Sequence, residues 1–93
     1  MDTERIKQLI ASGHYDEALG LCDNAIKGSN GSPKVTAHAL YLRGNAWLKK
    51  GNTRQALNNY LQSIELDPDG PAAIAYKHIQ EILNFYDHDL YNP

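Results

Sequence analysis

Gly51-Asn52-Thr53-Arg54-Gln55-Ala56-Leu57 repeats, 38 residues further on, the pattern of Gly13-His14-Tyr15-Asp16-Glu17-Ala18-Leu19. Both stretches open on glycine and close on alanine-leucine, with mostly polar residues between. At the same offset Arg5 matches Arg43, Leu9 faces Trp47, Ile10 faces Leu48, Cys22 faces Tyr60 and Ile26 matches Ile64. The similarity therefore runs through two elements in each copy, as expected of an architecture built by stacking one supersecondary unit.

Apolar residues inside each copy recur three or four apart, which is the period of a helix with one buried stripe. They are Ile6, Leu9 and Ile10; then Ala18, Leu21, Cys22, Ala25 and Ile26; then Leu40, Trp47 and Leu48; then Ala56, Leu57, Tyr60, Leu61 and Ile64. No stretch alternates with period two. Gly13 and Gly51 each follow a helical run, where a left-handed residue ends a helix at no steric cost. Ser32 before Pro33 reads as an N-cap with a first-turn proline, Asn52 with Gln55 reads as a capping box, and Pro71 opens a fifth helix. Pro68 closes the helix ending near Leu66. The chain is thus expected to be all-α and a single domain: repeat one over about 3–27, a polar loop over 28–32, repeat two over about 33–70, a capping helix over about 71–86 and a tail over 87–93.

Leu40, Gly44, Trp47, Gly51, Ala56, Tyr60 and Pro68 stand at the spacings of small and large signature residues in the tetratricopeptide repeat, which residues 37–70 resemble closely in its expected length of about 34 residues. The first copy keeps Gly13, Tyr15, Ala18, Leu19 and Ala25, but has Ile6 where the family prefers glycine and Cys22 where it prefers an aromatic residue. Ser63 replaces the usual alanine. The resemblance implies a right-handed α-α superhelix of two helix pairs and a C-terminal capping helix. Two repeats lie near the lower limit for a stable stack, so self-association or a partner is expected to supply missing burial.

Composition narrows the function. Nine basic and eleven acidic residues among 93 give a net charge of -2, with Lys49-Lys50 as the adjacent basic pair, so the phosphate backbone of a nucleic acid has no electrostatic footing. One cysteine, Cys22, excludes an internal disulfide and fits a reducing compartment. The start lacks a secretory pattern and no window is apolar enough to span a bilayer, so a soluble cytoplasmic protein without membrane contact is expected.

Candidate sites are then weighed against ordinary structural roles. The resemblance implies a concave groove lined by the first helices of successive repeats, with Lys7, His38, Tyr41, Asn45, Leu48, Lys49, Tyr76 and Ile79 as its outward-facing residues. Tyr41, Asn45 and Lys49 are four apart and share a helix face, offering an aromatic surface, an amide and a cation. Family members that grip a terminal carboxylate use a lysine where Tyr41 stands, so that mode of binding is not expected. His14, His38, His78 and His88 lack the three or four converging ligands of a metal site; neither metal nor cofactor is expected. Cys22 on a buried stripe behaves as a small apolar residue, and Trp47 and Tyr60 fill core positions. Phe85, Tyr86 and Tyr91 either pack on the cap or form a docking patch. No glycine-rich phosphate loop or nucleophile motif is present, so the chain is read as non-catalytic. The resemblance implies that it binds a protein or peptide segment in the groove; the alternative expectation is that it self-associates to complete its helical stack.

Overall fold

Five helices make up the described part of the chain: α1 (Thr3–Ala11), α2 (Tyr15–Lys27), α3 (Pro33–Lys50), α4 (Thr53–Leu66) and α5 (Pro71–Tyr91), with no strand among the described residues. The structure is a computed structural model that describes the backbone of residues 1–91 and the side chains of residues 1–84.

The two glycine corners have one geometry. At the first, Gly13 takes φ 84° while its N–H reaches Ile10 O and the His14 N–H reaches Leu9 O; at the second, Gly51 takes φ 97° while its N–H reaches Leu48 O and the Asn52 N–H reaches Trp47 O. This paired return of two amides onto the last turn is the Schellman motif, and its left-handed residue is why glycine recurs there. Helix starts follow their caps as well. Asp2 accepts from Arg5 N, Ser32 from Val35 N ahead of a helix opening on Pro33, and Asn52 from Gln55 N. Among the described hydrogen bonds, the Gln55 side chain does not return the bond to Asn52, so only one half of the capping box forms. Helix α5 runs to Tyr91, past the expected end at residue 86, because no proline or glycine interrupts the chain before Pro93.

Helix α3 is the hub, packing against α2, α4 and α1, while α5 packs on α4. Two apolar clusters result. Ile6, Ile10, Ala18, Leu19, Cys22, Leu42 and Ala46 form the first; Ala56, Tyr60, Ala72 and Ile79 form the second. Tyr41 and Trp47 touch both clusters and join the repeats into one core. Ala18, Cys22, Ala39, Leu42, Ala46, Ala56 and Tyr60 are fully buried, so small residues sit where backbones cross and one large ring fills the gap.

Polar atoms reinforce the seams. Ser63 Oγ donates to Ala37 O at 2.6 Å inside the core, so the hydroxyl at this usual alanine position bonds α4 to α3. Arg43 of α3 reaches both neighbours: its Nη1 donates to Asn59 Oδ1 of α4 at 3.1 Å, and its Nε lies 3.0 Å from Asp23 Oδ1 of α2, off the hydrogen-bonding direction.

Candidate functional site

Between α1 and α3 lies an open cleft of about 710 Å³. Its polar lining is Lys7 from α1 and Asn45 and Lys49 from α3; its apolar lining is Ile10, Ala11, Leu42 and Leu48, with Tyr15 from α2 at one side. Helical spacing explains the convergence: Asn45, Leu48 and Lys49 lie within one turn of α3, and Lys7, Ile10 and Ala11 take the matching places on α1 at the repeat offset of 38.

The lysines differ in their surroundings. Lys7 Nζ lies 3.9 Å from Glu4 Oε1, one turn earlier on α1, with both side chains exposed. Lys49 is exposed and forms no ion pair among the described residues, whereas its neighbour Lys50 bonds Asp16 at 2.6 Å and lies over the Trp47 ring. Asn45 is oriented from behind, because the Tyr60 hydroxyl donates to its Oδ1 at 2.5 Å. Burial, with a smaller contribution from Tyr41, pushes the Tyr60 hydroxyl up to about 12, so it stays a donor at neutral pH.

The other expected groove residues have different places. His38 and Thr3 Oγ1 are hydrogen-bonded at 3.2 Å, tying the start of α1 to α3, and its ring stacks on Tyr41. Burial, aided by the charge of Lys7, holds the His38 pKa below the ordinary histidine value. Tyr41 is half-buried against Tyr60, with ring centroids 6.0 Å apart, so it serves the joint between clusters more than an open surface. Tyr76 packs against the second cluster and its hydroxyl accepts from Gln80. Ile79, expected to face outward, is instead 7% exposed within that cluster, because the face of α5 that meets α4 is the one carrying Ala72 and Ile79.

The cleft thus gathers Lys7, Asn45, Leu48 and Lys49 and leaves out His38, Tyr41, Tyr76 and Ile79. Ile10, Ala11, Tyr15 and Leu42 were not anticipated. Repeat symmetry carries a signal for two of them, since Ile10 and Ala11 match Leu48 and Lys49. Cys22 is fully buried and its thiol pKa is raised to about 11, first by burial and then by Asp23. No group of three or more His, Cys, Asp or Glu side chains comes together among the described residues, and no helix there is long and apolar enough to cross a membrane. His88 and the aromatic cluster of Phe85, Tyr86 and Tyr91 lie outside the described side chains.

A second crevice, on the opposite side of α3, carries charges of both signs: Asp23, Lys27, Arg43 and Glu65 line it, and Arg43 and Asp23 are already paired.

Comparison with known proteins accords with this architecture. The tetratricopeptide repeat family model matches residues 37–69. The solution NMR structure of Bacteroides fragilis protein BF1650 is similar to the chain at 43% identity and a TM-score of 0.82, over 99% of this chain and 91% of that one. No curated protein matches the chain at a significant level. Two helix pairs turned by the same glycine corner, closed by a fifth helix and matched by the repeat signature, establish that the chain belongs to the tetratricopeptide repeat family, whose repeats generally mediate protein–protein interaction.

Proposed function

We propose that the protein is a non-catalytic binding module that holds a peptide segment of another protein along its concave face, centred on the α1–α3 cleft. The observation that carries this reading is the convergence of Lys7, Asn45, Leu48 and Lys49 on one open cleft with an apolar floor. Such a cleft suits an extended or helical segment, because apolar side chains are taken out of water on the floor while rim donors meet backbone carbonyls and side-chain oxygens. His38, Tyr41 and Tyr76 extend the same face along α3 and α5. No covalent chemistry is involved.

Selection of displayed random peptides on the purified protein, followed by NMR titration of the leading binder into isotope-labelled protein, tests the reading. Amide shifts concentrated on α1 and α3 support it; the absence of any binder, or shifts confined to α5, contradicts it.

A second reading, self-association, is favoured by a separate observation. Ile74, Ile82 and Leu83 on α5 are 76%, 45% and 39% exposed, leaving three large apolar side chains uncovered on the last helix of the stack. A mass that doubles with concentration supports that reading, and a monomer at all concentrations removes it.

A further inference from the structure

We propose that the α1–α3 cleft selects acidic segments: a side-chain carboxylate held by Lys7 and Lys49, a peptide carbonyl received by Asn45, and a neighbouring aliphatic side chain seated on Ile10, Leu42 and Leu48. The proposal rests on the peptide-binding reading above and adds the chemistry of the segment.

The argument is an inventory of donors and acceptors. Of the side chains lining the cleft, Lys7 and Lys49 are cations and none is a carboxylate, although acidic residues outnumber basic ones in the chain. Asn45 offers both an acceptor and a donor, and the Tyr60 hydroxyl already takes one of the two lone pairs of its Oδ1. Its Nδ2 has no partner among the described residues and is the wholly unoccupied end of the amide. Apart from the Tyr15 hydroxyl and the remaining lone pair of Asn45 Oδ1, the polar side chains present donors. A ligand rich in acceptors and negative in charge meets all of them, whereas a basic segment meets two like charges.

The Glu4–Lys7 contact does not cancel this preference. At 3.9 Å between exposed side chains it is a weak pair, and Lys49 has no such neighbour. The opposite crevice is the internal contrast, since Asp23 and Glu65 there balance Lys27 and Arg43 and leave no net sign to read. The aliphatic part of the proposal follows from the floor: Leu42 is fully buried, Ile10 is 9% exposed, and Leu48 is half-buried at the rim, so a branched side chain laid there completes a surface the core already presents.

Random ten-residue peptides displayed on phage, selected in parallel on the wild type and on the double variant Lys7→Glu/Lys49→Glu, provide the test. Both lysines are exposed, so the variant is expected to keep its fold, checked by circular dichroism; Lys7→Gln/Lys49→Gln serves as a neutral control. Wild type is expected to enrich Asp or Glu close to Leu, Ile, Val or Met, the neutral variant to lose the acidic preference, and the reversed variant to enrich Lys or Arg instead. A synthetic copy of the leading acidic peptide is expected to bind roughly tenfold or more weakly to the reversed variant, and to weaken with rising salt. Enrichment of neutral or basic peptides by the wild type, or acidic peptides retained by the reversed variant, overturns the proposed selectivity and leaves the groove reading standing. No enrichment on any of the three proteins overturns both.

Discussion

The ring of Tyr60 lies against the bare Cα of Gly44: a Cβ added to Gly44 would stand 2.5 Å from Tyr60 Cε1 and 2.7 Å from Cδ1. One glycine on α3 thus makes room for the largest fully buried side chain, which comes from α4, and the same ring carries its hydroxyl on to Asn45 at the cleft. Packing between the repeat's two helices and orientation of a candidate binding residue are two ends of one contact.

Gly44→Ala is therefore expected to destabilise the protein by about 1–3 kcal/mol, the usual cost of forcing atoms into a filled core, although alanine is the better helix former. Urea unfolding measures it. Combining Gly44→Ala with Tyr60→Leu should cost less than the two single changes added together, because the second change removes the ring that the new methyl meets. Strict additivity would mean that the Gly44–Tyr60 contact is not the cause.

Tyr60→Phe keeps the ring and deletes the hydroxyl. Stability should fall by about 0.5–1.5 kcal/mol for the lost bond to Asn45. The alkaline limb carries a further sign. Tyrosine ionises near 10.0 when unfolded but only at about 12 in this fold, so the unfolded state loses its proton first and stability declines as pH rises from 10 towards 12. Tyr60→Phe should show a shallower decline over that window in urea melts at stepped pH; parallel curves for the two proteins would exclude Tyr60 as a source of it.

Cys22 should resist modification while the chain is folded. Its side chain is fully buried and its thiol pKa is raised to about 11, so little thiolate exists at neutral pH and little of it is reached. Reaction with a chromogenic disulfide reagent is expected to be slow in native buffer and rapid in denaturant. Equal rates in the two conditions would contradict the burial.

The contrast between what periodicity specifies and what it leaves open is visible in single residues. Gly13, Gly51, Ser32 with Pro33 and Asn52 act through their own backbone or the next turn, so the helix corners and starts were legible in the chain itself. Lys7, Asn45 and Lys49 were legible too, because the residues of a helix face and their repeat-related counterparts follow from spacing. The family resemblance places Ile79 outward, but the face of α5 that carries it meets α4, and that choice is made by the packing of the two helices. Tyr15 reaches the cleft from a different helix, and Arg43 spans α2 and α4 through a long side chain. Both depend on how helices are set against each other, which no local pattern encodes.

The Arg43 bridge makes its own prediction. Asn59 is 1% exposed, its Nδ2 bonds Gln55 O, and its Oδ1 depends on Arg43 Nη1. Arg43→Met should leave that oxygen unpaired within the core and cost about 1–3 kcal/mol, whereas Asp23→Ala should cost less than about 1 kcal/mol, because its contact with Arg43 is partly solvated and off the hydrogen-bonding direction. Thermal melts of the two variants compare them directly; an equal or larger loss for Asp23→Ala would show that the charge pair, not the amide, holds the seam.

The exposed isoleucines on α5 separate the two functional readings. Ile74 is 76% exposed and Ile82 45% exposed, so neither is held by this chain's own core and Ile74→Lys/Ile82→Lys should leave unfolding within about 0.5 kcal/mol of the wild type for a monomer. If two copies pair through this helix, the variant loses the extra mass seen by sedimentation equilibrium and its melting temperature no longer rises with concentration. Four added lysines per pair would be gathered at such an interface, where like charges repel. Peptide binding at the α1–α3 cleft should survive the same change, since neither residue lines it. Loss of peptide affinity together with loss of mass would mean that the cleft is completed only by the paired form.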